Sequence, residues 1–272
     1  MLPLIFIING FMVWIVVAVF VNSIPLSILI TLLLMGGLTG LALSPSGEAL
    51  ARSQLRVRKP NQEETTVLNT AIKNVLARAG LENNQFELYI ADQQMPNAYA
   101  IGLNTITVTK GLLDNVSKEE LEGVIAHEIG HLQNGDTKRR TAAMTMNAMG
   151  SVAAWFMVAI SAAFASISAA MSSEHNPAGG FVAITFGLFA AILRILWSIL
   201  QKVFDLSLLS VGRQEEFKAD EFAAKSNCGQ GLKSFLQKLQ HVNIKQDKSI
   251  WVRLHATHPP VKERVDNLTK VL

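Results

Sequence analysis

Charged side chains are scarce in this sequence, and two long stretches have none. Asp, Glu, Lys and Arg make up 17% of the 272 residues, hydrophobic residues make up 50%, and the mean hydropathy is +0.30. No charged residue occurs in residues 1–47 or in residues 141–173. This composition excludes an ordinary soluble domain and favours a membrane protein with a modest soluble part.

Cysteine is almost absent as well. The single cysteine, Cys228, excludes a disulfide within the chain, and we interpret it as a small helix-packing residue. The net charge of +3 gives little support to nucleic-acid binding, because the basic residues flank apolar runs and lack interleaved aromatic residues.

The apolar runs predict four membrane-spanning helices in two hairpins. Residues 1–45 hold two segments of about 20 residues each, and residues 141–203 hold two more. Only Arg194 interrupts the last run, where it can snorkel to the interface; a functional charge inside the membrane is the alternative. The two hairpin turns have no Lys or Arg, whereas the flanks at residues 52–59, 138–140 and 202 do, so the positive-inside rule places both termini in the cytosol.

A His-Glu-x-x-His pattern is the strongest chemical signal in the chain. Residues four apart share one face of a helix, so His127 and His131 can present both rings to one metal ion. Glu128 lies beside them, where a carboxylate can take a proton from the attacking water without being a ligand itself. The pattern is typical of a catalytic zinc helix.

The residues around this pattern also predict a helix. Ser117 and Glu120 have the spacing of a capping box, and Asn134-Gly135 is a stop signal. An extended zincin pattern would need Gly at 134 and His at 137, but Asn134 and Thr137 occupy those positions. The third ligand must therefore come from elsewhere in the chain.

Acidic residues on a later predicted helix are candidates for that ligand. A catalytic zinc needs three protein ligands and one open position. Glu216 and Asp220 lie one turn apart, so Glu216 can complete the site while Asp220 accepts a hydrogen bond from a ligand imidazole. On spacing alone the other acidic residues within 215–221 compete with Glu216, and a solvated charged helix face is the alternative.

The soluble segments predict a small α+β arrangement. Alternation over residues 86–90 and a β-branched run over 106–109 predict two or three short strands next to the zinc helix. An exposed strand edge near residues 96–101 can bind an extended peptide by adding a strand; a plain loop and strand is the alternative. Amphipathic patterns predict helices over about 61–79, about 231–241 and after Pro260.

Five segments of the chain together carry a resemblance to a known family. They are Asn97-Ala98-Tyr99-Ala100, Thr109-Lys110-Gly111-Leu112-Leu113, His127 to Asp136, Glu216-Phe217-Lys218-Ala219-Asp220, and His258-Pro259-Pro260 with Arg264. In this order they resemble the HtpX-type membrane zinc metalloproteases, which are relatives of the CAAX-prenyl proteases. One departure is Glu215, which stands where the family often has Arg.

The resemblance implies a ligand set and a fold. It implies one zinc ion per chain held by His127, His131 and Glu216, with Glu128 as the catalytic residue. Supporting or substrate-contacting roles are implied for Asp220, Asn97, Ala98, Tyr99, Arg213, His258 and Arg264. The expected fold is a mostly α integral membrane protein with a small α+β cytosolic catalytic domain of the zincin (gluzincin-like) type. Residues 46–140 and 204–272 would form that domain.

The resemblance also implies an activity. We expect a zinc metalloendopeptidase of the bacterial cytoplasmic (inner) membrane that cuts damaged or misassembled membrane proteins on the cytosolic side as part of a stress response. One alternative is a dedicated processing protease of the prenyl-protease type, which usually has more spans. Another is an inactive metal-binding scaffold, against which Glu128 argues, because a scaffold needs ligands but no general base.

Overall fold

The computed structural model describes residues 2–170, 178–241 and 260–272. The chain divides into two compact units. The apolar unit comprises Met1–Ala42 and Ala142–Ser207, and the mixed unit comprises Leu43–Thr141 and Leu208–Leu272. Each unit therefore combines two separate segments of the sequence.

The described residues form ten helices and three strands. In chain order these are α1 (Leu2–Phe20), α2 (Ile24–Ala42), α3 (Pro45–Gln54), α4 (Gln62–Ala79), β1 (Glu87–Ala91), β2 (Ala98–Ile101), β3 (Thr105–Thr109), α5 (Lys110–Asn115), α6 (Lys118–Gln133), α7 (Asp136–Ala170), α8 (Ala178–Lys225), α9 (Gly229–His241) and α10 (Val261–Val271).

Long apolar helices make up the apolar unit. Among the described residues, α2, α7 and α8 are long and apolar enough to cross a membrane, whereas the apolar stretch Phe6–Phe20 within α1 is shorter. Helix α1 packs on α2, and the indole N–H of Trp14 donates to Ser27 Oγ over 2.9 Å. Helix α8 continues from its apolar part to Lys225 without a break, so the last apolar run and the acidic segment 215–221 belong to one helix.

A three-stranded sheet lies in the mixed unit, which confirms the short strands predicted from the sequence. The strand order is β1-β3-β2, with β1 parallel and β2 antiparallel to β3. Ala98 pairs with Val108 and Ile101 with Thr105. Strand β2 is therefore an edge of the sheet that the described residues form.

Helix α4 begins and ends where its local signals predict. Asn61 caps it in a capping box with Glu64, and Gly80 ends it in the left-handed conformation with φ of 67°. The buried face consists of Leu68, Ala71, Ile72, Val75 and Leu76, whereas the neighbouring apolar Val67 is 51% exposed.

One hydrophobic core joins α4, the sheet, α6, α9 and α10. Its fully buried side chains include Leu68, Val75, Ile90, Ile106, Ile125, Ile129, Leu232 and Leu268. Helix α9 lies so close to α6 that a Cβ on Gly123 would be 2.2 Å from the Leu232 amide nitrogen. This core fixes α6, which carries the His-Glu-x-x-His residues.

Helix α3 is an element that the sequence patterns did not predict. The Ser44 hydroxyl accepts a hydrogen bond from the Gly47 amide, and Pro45 occupies the first helical position. Glu48, one turn into the helix, is only 3% exposed. The helix therefore packs against the mixed unit instead of lying free as a linker.

Candidate metal centre

Helix α6 presents the two histidines as predicted. Ser117 and Glu120 make both hydrogen bonds of the capping box, and the helix ends at Gln133 before Gly135, whose φ is +70°. The rings of His127 and His131 lie edge to face with centroids 4.7 Å apart. Local sequence signals are thus sufficient to place these two rings side by side.

Glu216 of helix α8 meets both rings. Its Oε2 lies 3.4 Å from His127 Nε2, its Oε1 lies 3.4 Å from His131 Nε2, and the two Nε2 atoms are 3.2 Å apart. Glu216 and His127 are 2% and 4% exposed. Residues 85 or more positions apart in the sequence therefore converge on one small buried volume.

These spacings fit a tetrahedral metal ion. Metal–ligand bonds of about 2.0–2.1 Å in a tetrahedral site separate neighbouring ligand atoms by about 3.3–3.4 Å. The observed separations of 3.2 to 3.4 Å agree with that value. Two imidazoles and one carboxylate are also a donor set typical of catalytic zinc, with a fourth position left open.

Asp220 and Arg264 lie behind His127. Asp220 Oδ1 is 2.9 Å from His127 Nδ1, and the Arg264 guanidinium donates to both Asp220 oxygens over 2.6 and 3.0 Å. Arg264 Nη1 also lies 3.1 Å from Glu216 Oε2. Burial alone would raise the pKa of Asp220, but Arg264 and His127 outweigh it and hold the pKa below its usual value.

Asp136 and Arg139 lie behind His131. Asp136 Oδ2 is 2.9 Å from His131 Nδ1, and Arg139 forms an ion pair with the other Asp136 oxygen. Arg139 also lies 3.3 Å from Glu215 Oε1. Each histidine therefore has a carboxylate on its Nδ1, an arrangement that holds Nε2 towards a metal and makes the ring more basic. Glu215 thus contacts Arg139 and neither of the two histidine rings.

The electrostatics of the site favour a positive charge on the rings. Burial alone would lower the pKa of His131, but the contacts with Asp136 and Glu216 raise it to about 10, with a further contribution from the charge of Glu128. A bound metal ion would supply this positive charge in place of a proton. Glu128 directly follows His127 on α6, and its side chain is 7% exposed.

The other residues singled out in the sequence lie in different surroundings. Asn97 precedes β2, and its backbone pairs with Thr109; Ala98 is buried and Tyr99 half-buried within the strand. The Arg213 side chain is 58% exposed and lies 3.9 Å from Glu263. His258 lies outside the described residues.

Sequence patterns gave no role to Asp136 or Arg139. Asp136 follows the Asn134-Gly135 stop signal, and the left-handed Gly135 turns the chain so that Asp136 starts the next helix beside His131. An acidic residue directly after a helix stop that follows a His-Glu-x-x-His pattern is therefore a signal for such a partner. Nothing local predicts the contact between Arg139 and Glu215, because 76 residues separate them.

Comparisons with a protein-family model and with similar proteins indicate the same family. The model of peptidase family M48 matches residues 62–272. "Protease HtpX homolog" of Dictyoglomus turgidum is 30% identical over 78% of this chain and 71% of its own length. The protein of the same description from Pelotomaculum thermopropionicum is 31% identical over 81% of each chain.

A solved structure supports the fold. The crystal structure of S. mikatae Ste24p superposes with a TM-score of 0.57 at 21% identity. The match covers 98% of this chain and 64% of the Ste24p chain. Together with the family match and the apolar helices, these likenesses lead to one conclusion: the chain belongs to peptidase family M48, as a membrane metallopeptidase of the HtpX type.

Proposed function

We propose that this metallopeptidase is a zinc-dependent endopeptidase that cleaves damaged or misfolded membrane proteins on the cytosolic side of the bacterial inner membrane. The observation that carries the proposal is the convergence of His127, His131 and Glu216 beside Glu128. Three ligands leave one coordination position open, as catalysis requires and a purely structural site does not.

His127, His131 and Glu216 would hold one zinc ion per chain. A bound zinc ion would lower the pKa of a water molecule and polarise the carbonyl of the peptide bond to be cut. Asp220 and Asp136 keep the Nδ1 side of each ring occupied, so that each Nε2 is available as a ligand. Arg264 offsets part of the negative charge of Asp220 and Glu216.

Glu128 would move the proton. Its carboxylate takes a proton from the attacking water, which adds to the peptide carbonyl carbon. Glu128 then gives the same proton to the amine nitrogen as the C–N bond breaks, so it returns to its starting form. The low exposure of Glu128, 7%, limits competing contacts with bulk water.

The substrate would lie along the outer edge of β2. This strand packs against α6 and pairs with β3 along one edge, and no described strand pairs with its other edge, so an extended peptide can add there as the next strand. Main-chain hydrogen bonds give such binding little sequence preference, and this suits a protease that removes many different damaged proteins. Asn97, Ala98 and Tyr99 are the residues proposed to meet the peptide.

We further propose four membrane spans, with α1 as the fourth beside α2, α7 and α8. In the sequence, basic residues follow the second span, precede the third and follow the fourth, next to the segments of the mixed unit, so the positive-inside rule favours a cytosolic site. Protease added to spheroplasts should leave residues 61–135 intact while the cells remain sealed. Removal of this region from sealed spheroplasts would contradict the proposed orientation.

A cleavage assay with matched variants tests the activity. The purified full-length protein should cut casein or an unfolded membrane protein, and a zinc chelator should stop the reaction. Glu128→Gln should retain zinc but lose cleavage by a factor of about 10²–10⁴. Glu119→Gln, an exposed carboxylate in the first turn of the same helix, is the control and should cleave normally. Undiminished cleavage by Glu128→Gln would refute the role of that residue.

A further inference from the structure

The turn between β2 and β3 is held from two sides. The Leu103 amide donates to Glu48 Oε2 of α3 over 2.9 Å, and Thr137 Oγ1 of α7 donates to the Gly102 carbonyl over 2.8 Å. Both main-chain groups belong to the turn that sets where β2 ends. Two helices from different parts of the sequence thus fix one short turn.

Glu48 is a buried carboxylate that accepts one hydrogen bond from the turn and forms an ion pair on its own helix. It is 3% exposed, and its second oxygen lies 3.4 Å from Arg52 Nη1. Arg52 in turn donates to Thr105 Oγ1 over 2.9 Å and lies over the Tyr89 ring. Because a buried charge is costly unless it is paired, this arrangement is more than an incidental surface contact.

The turn has no room to shift towards α3. Gly102 has φ of +59°, and a Cβ there would lie 2.6 Å from Glu48 Cδ. Side chains alternate between the two faces of a strand, so a slip of one residue in the pairing of β2 with β3 would reverse every side chain of β2. Glu48 therefore contacts the turn that joins the edge strand to its partner.

The second contact ties this turn to the metal centre. Thr137 directly follows Asp136, whose carboxylate lies 2.9 Å from His131 Nδ1. One helical turn at the start of α7 thus contacts both the β2–β3 turn and a ligand ring. The edge strand and the ligand are held by the same short piece of backbone.

We propose that Glu48 and Thr137 are positioning residues that fix the position and register of β2. A substrate strand that adds to β2 would then be aligned with the metal and Glu128. The inference rests on the proposed function, because it takes β2 as the substrate edge. It predicts that loss of either contact weakens the binding of extended peptides while the metal ligands stay in place.

Peptide affinity of a protein that cannot cut tests the inference. The full-length Glu128→Gln protein, loaded with zinc, is titrated with a fluorescent ten-residue peptide that resists folding. Adding Glu48→Ala or Thr137→Val should weaken binding by about tenfold, a size typical of losing one hydrogen bond, with zinc content unchanged. Glu48→Gln, whose amide oxygen can still accept from Leu103, should recover most of the affinity.

Controls separate positioning from general damage to the fold. Glu63→Ala and Thr66→Val remove the same kinds of group from exposed positions of α4 and should bind the peptide normally. In cleaving protein, Thr137→Val should raise KM while leaving kcat nearly constant. If Glu48→Ala does not fold, Thr137→Val alone decides the question.

Failure of this inference and failure of the proposed function would give different results. Unchanged peptide affinity in both the Glu48 and Thr137 variants, or loss of zinc in parallel with loss of peptide, would overturn this inference. Absence of chelator-sensitive cleavage by the unsubstituted protein would instead overturn the proposed function.

Discussion

His131 Nδ1 lies 2.9 Å from Asp136 Oδ2, and the two residues are five positions apart in the chain. The contact crosses the junction between two helices, where the left-handed Gly135 turns the backbone. His131 Nε2 then faces Glu216. Because Asp136 occupies Nδ1, Nε2 is the nitrogen available to bind a metal.

Asp136→Ala should weaken zinc binding by about 10–100-fold without removing a ligand, because the ring loses the group that orients it. Competition with a chromophoric chelator measures the affinity. Asp114→Ala removes an exposed carboxylate from α5 and should bind zinc as the unsubstituted protein does. Equal affinities for the two variants would show that Asp136 does not orient His131.

Replacing each of two adjacent glutamates should affect zinc binding differently. Glu216 faces both histidine rings, whereas Glu215 lies 3.3 Å from Arg139 and contacts neither ring. Metal analysis of the purified proteins should find that Glu216→Ala has lost its zinc and that Glu215→Ala retains it. Zinc loss from Glu215→Ala with retention in Glu216→Ala would reverse the assignment of the ligand.

The close contact of α6 with α9 predicts a stability effect. A Cβ on Gly123 would lie 2.2 Å from the Leu232 amide nitrogen, a backbone atom that cannot move aside alone. Gly123→Ala should therefore destabilise the protein by about 1–3 kcal/mol. Thermal unfolding in detergent measures the change. Gly187→Ala in α8, where a Cβ meets nothing within 4 Å, is the control and should be neutral or slightly stabilising.

The ion pair at the start of α4 predicts how stability depends on pH. Arg58 donates to both Glu64 oxygens over 2.7 and 2.8 Å, and these bonds lower the pKa of Glu64 to about 2. A depressed pKa in the folded state means that the ionised group stabilises the fold above its unfolded pKa of 4.5, and that this stabilisation is lost as the pH falls towards 2.

Glu64→Gln should therefore melt at a lower temperature than the unsubstituted protein above pH 5, and the difference should shrink as the pH falls from 4.5 towards 2. Melting temperatures of both proteins across this range test the statement. The exposed neighbour Glu63→Gln serves as the control. A difference that stays constant to pH 2.5 would contradict it.

Local signals in the sequence were enough to predict helices α6 and α4 and their ends. The caps at Ser117 and Asn61 and the stop glycines at 135 and 80 set their ends, and the spacing of four fixed the two histidines on one face. These features depend on residues a few positions apart, which is why sequence reasoning reaches them.

The rest of the site depends on distant contacts. Spacing alone left Glu216 in competition with its acidic neighbours, and the family resemblance was needed to single it out. The contacts of Arg264 with Asp220 and of Glu48 with Leu103 join residues 44 and 55 positions apart. No periodicity predicts such pairs, because they are set by how α3, α8 and α10 pack and not by the helices themselves.

X-ray absorption at the zinc edge of the purified protein tests the central claim most directly. We predict one zinc per chain, with two imidazole nitrogens and a carboxylate oxygen at about 2.0–2.2 Å, and loss of that signature in Glu216→Ala. A coordination shell without two imidazoles, or one that Glu216→Ala leaves unchanged, would contradict the account.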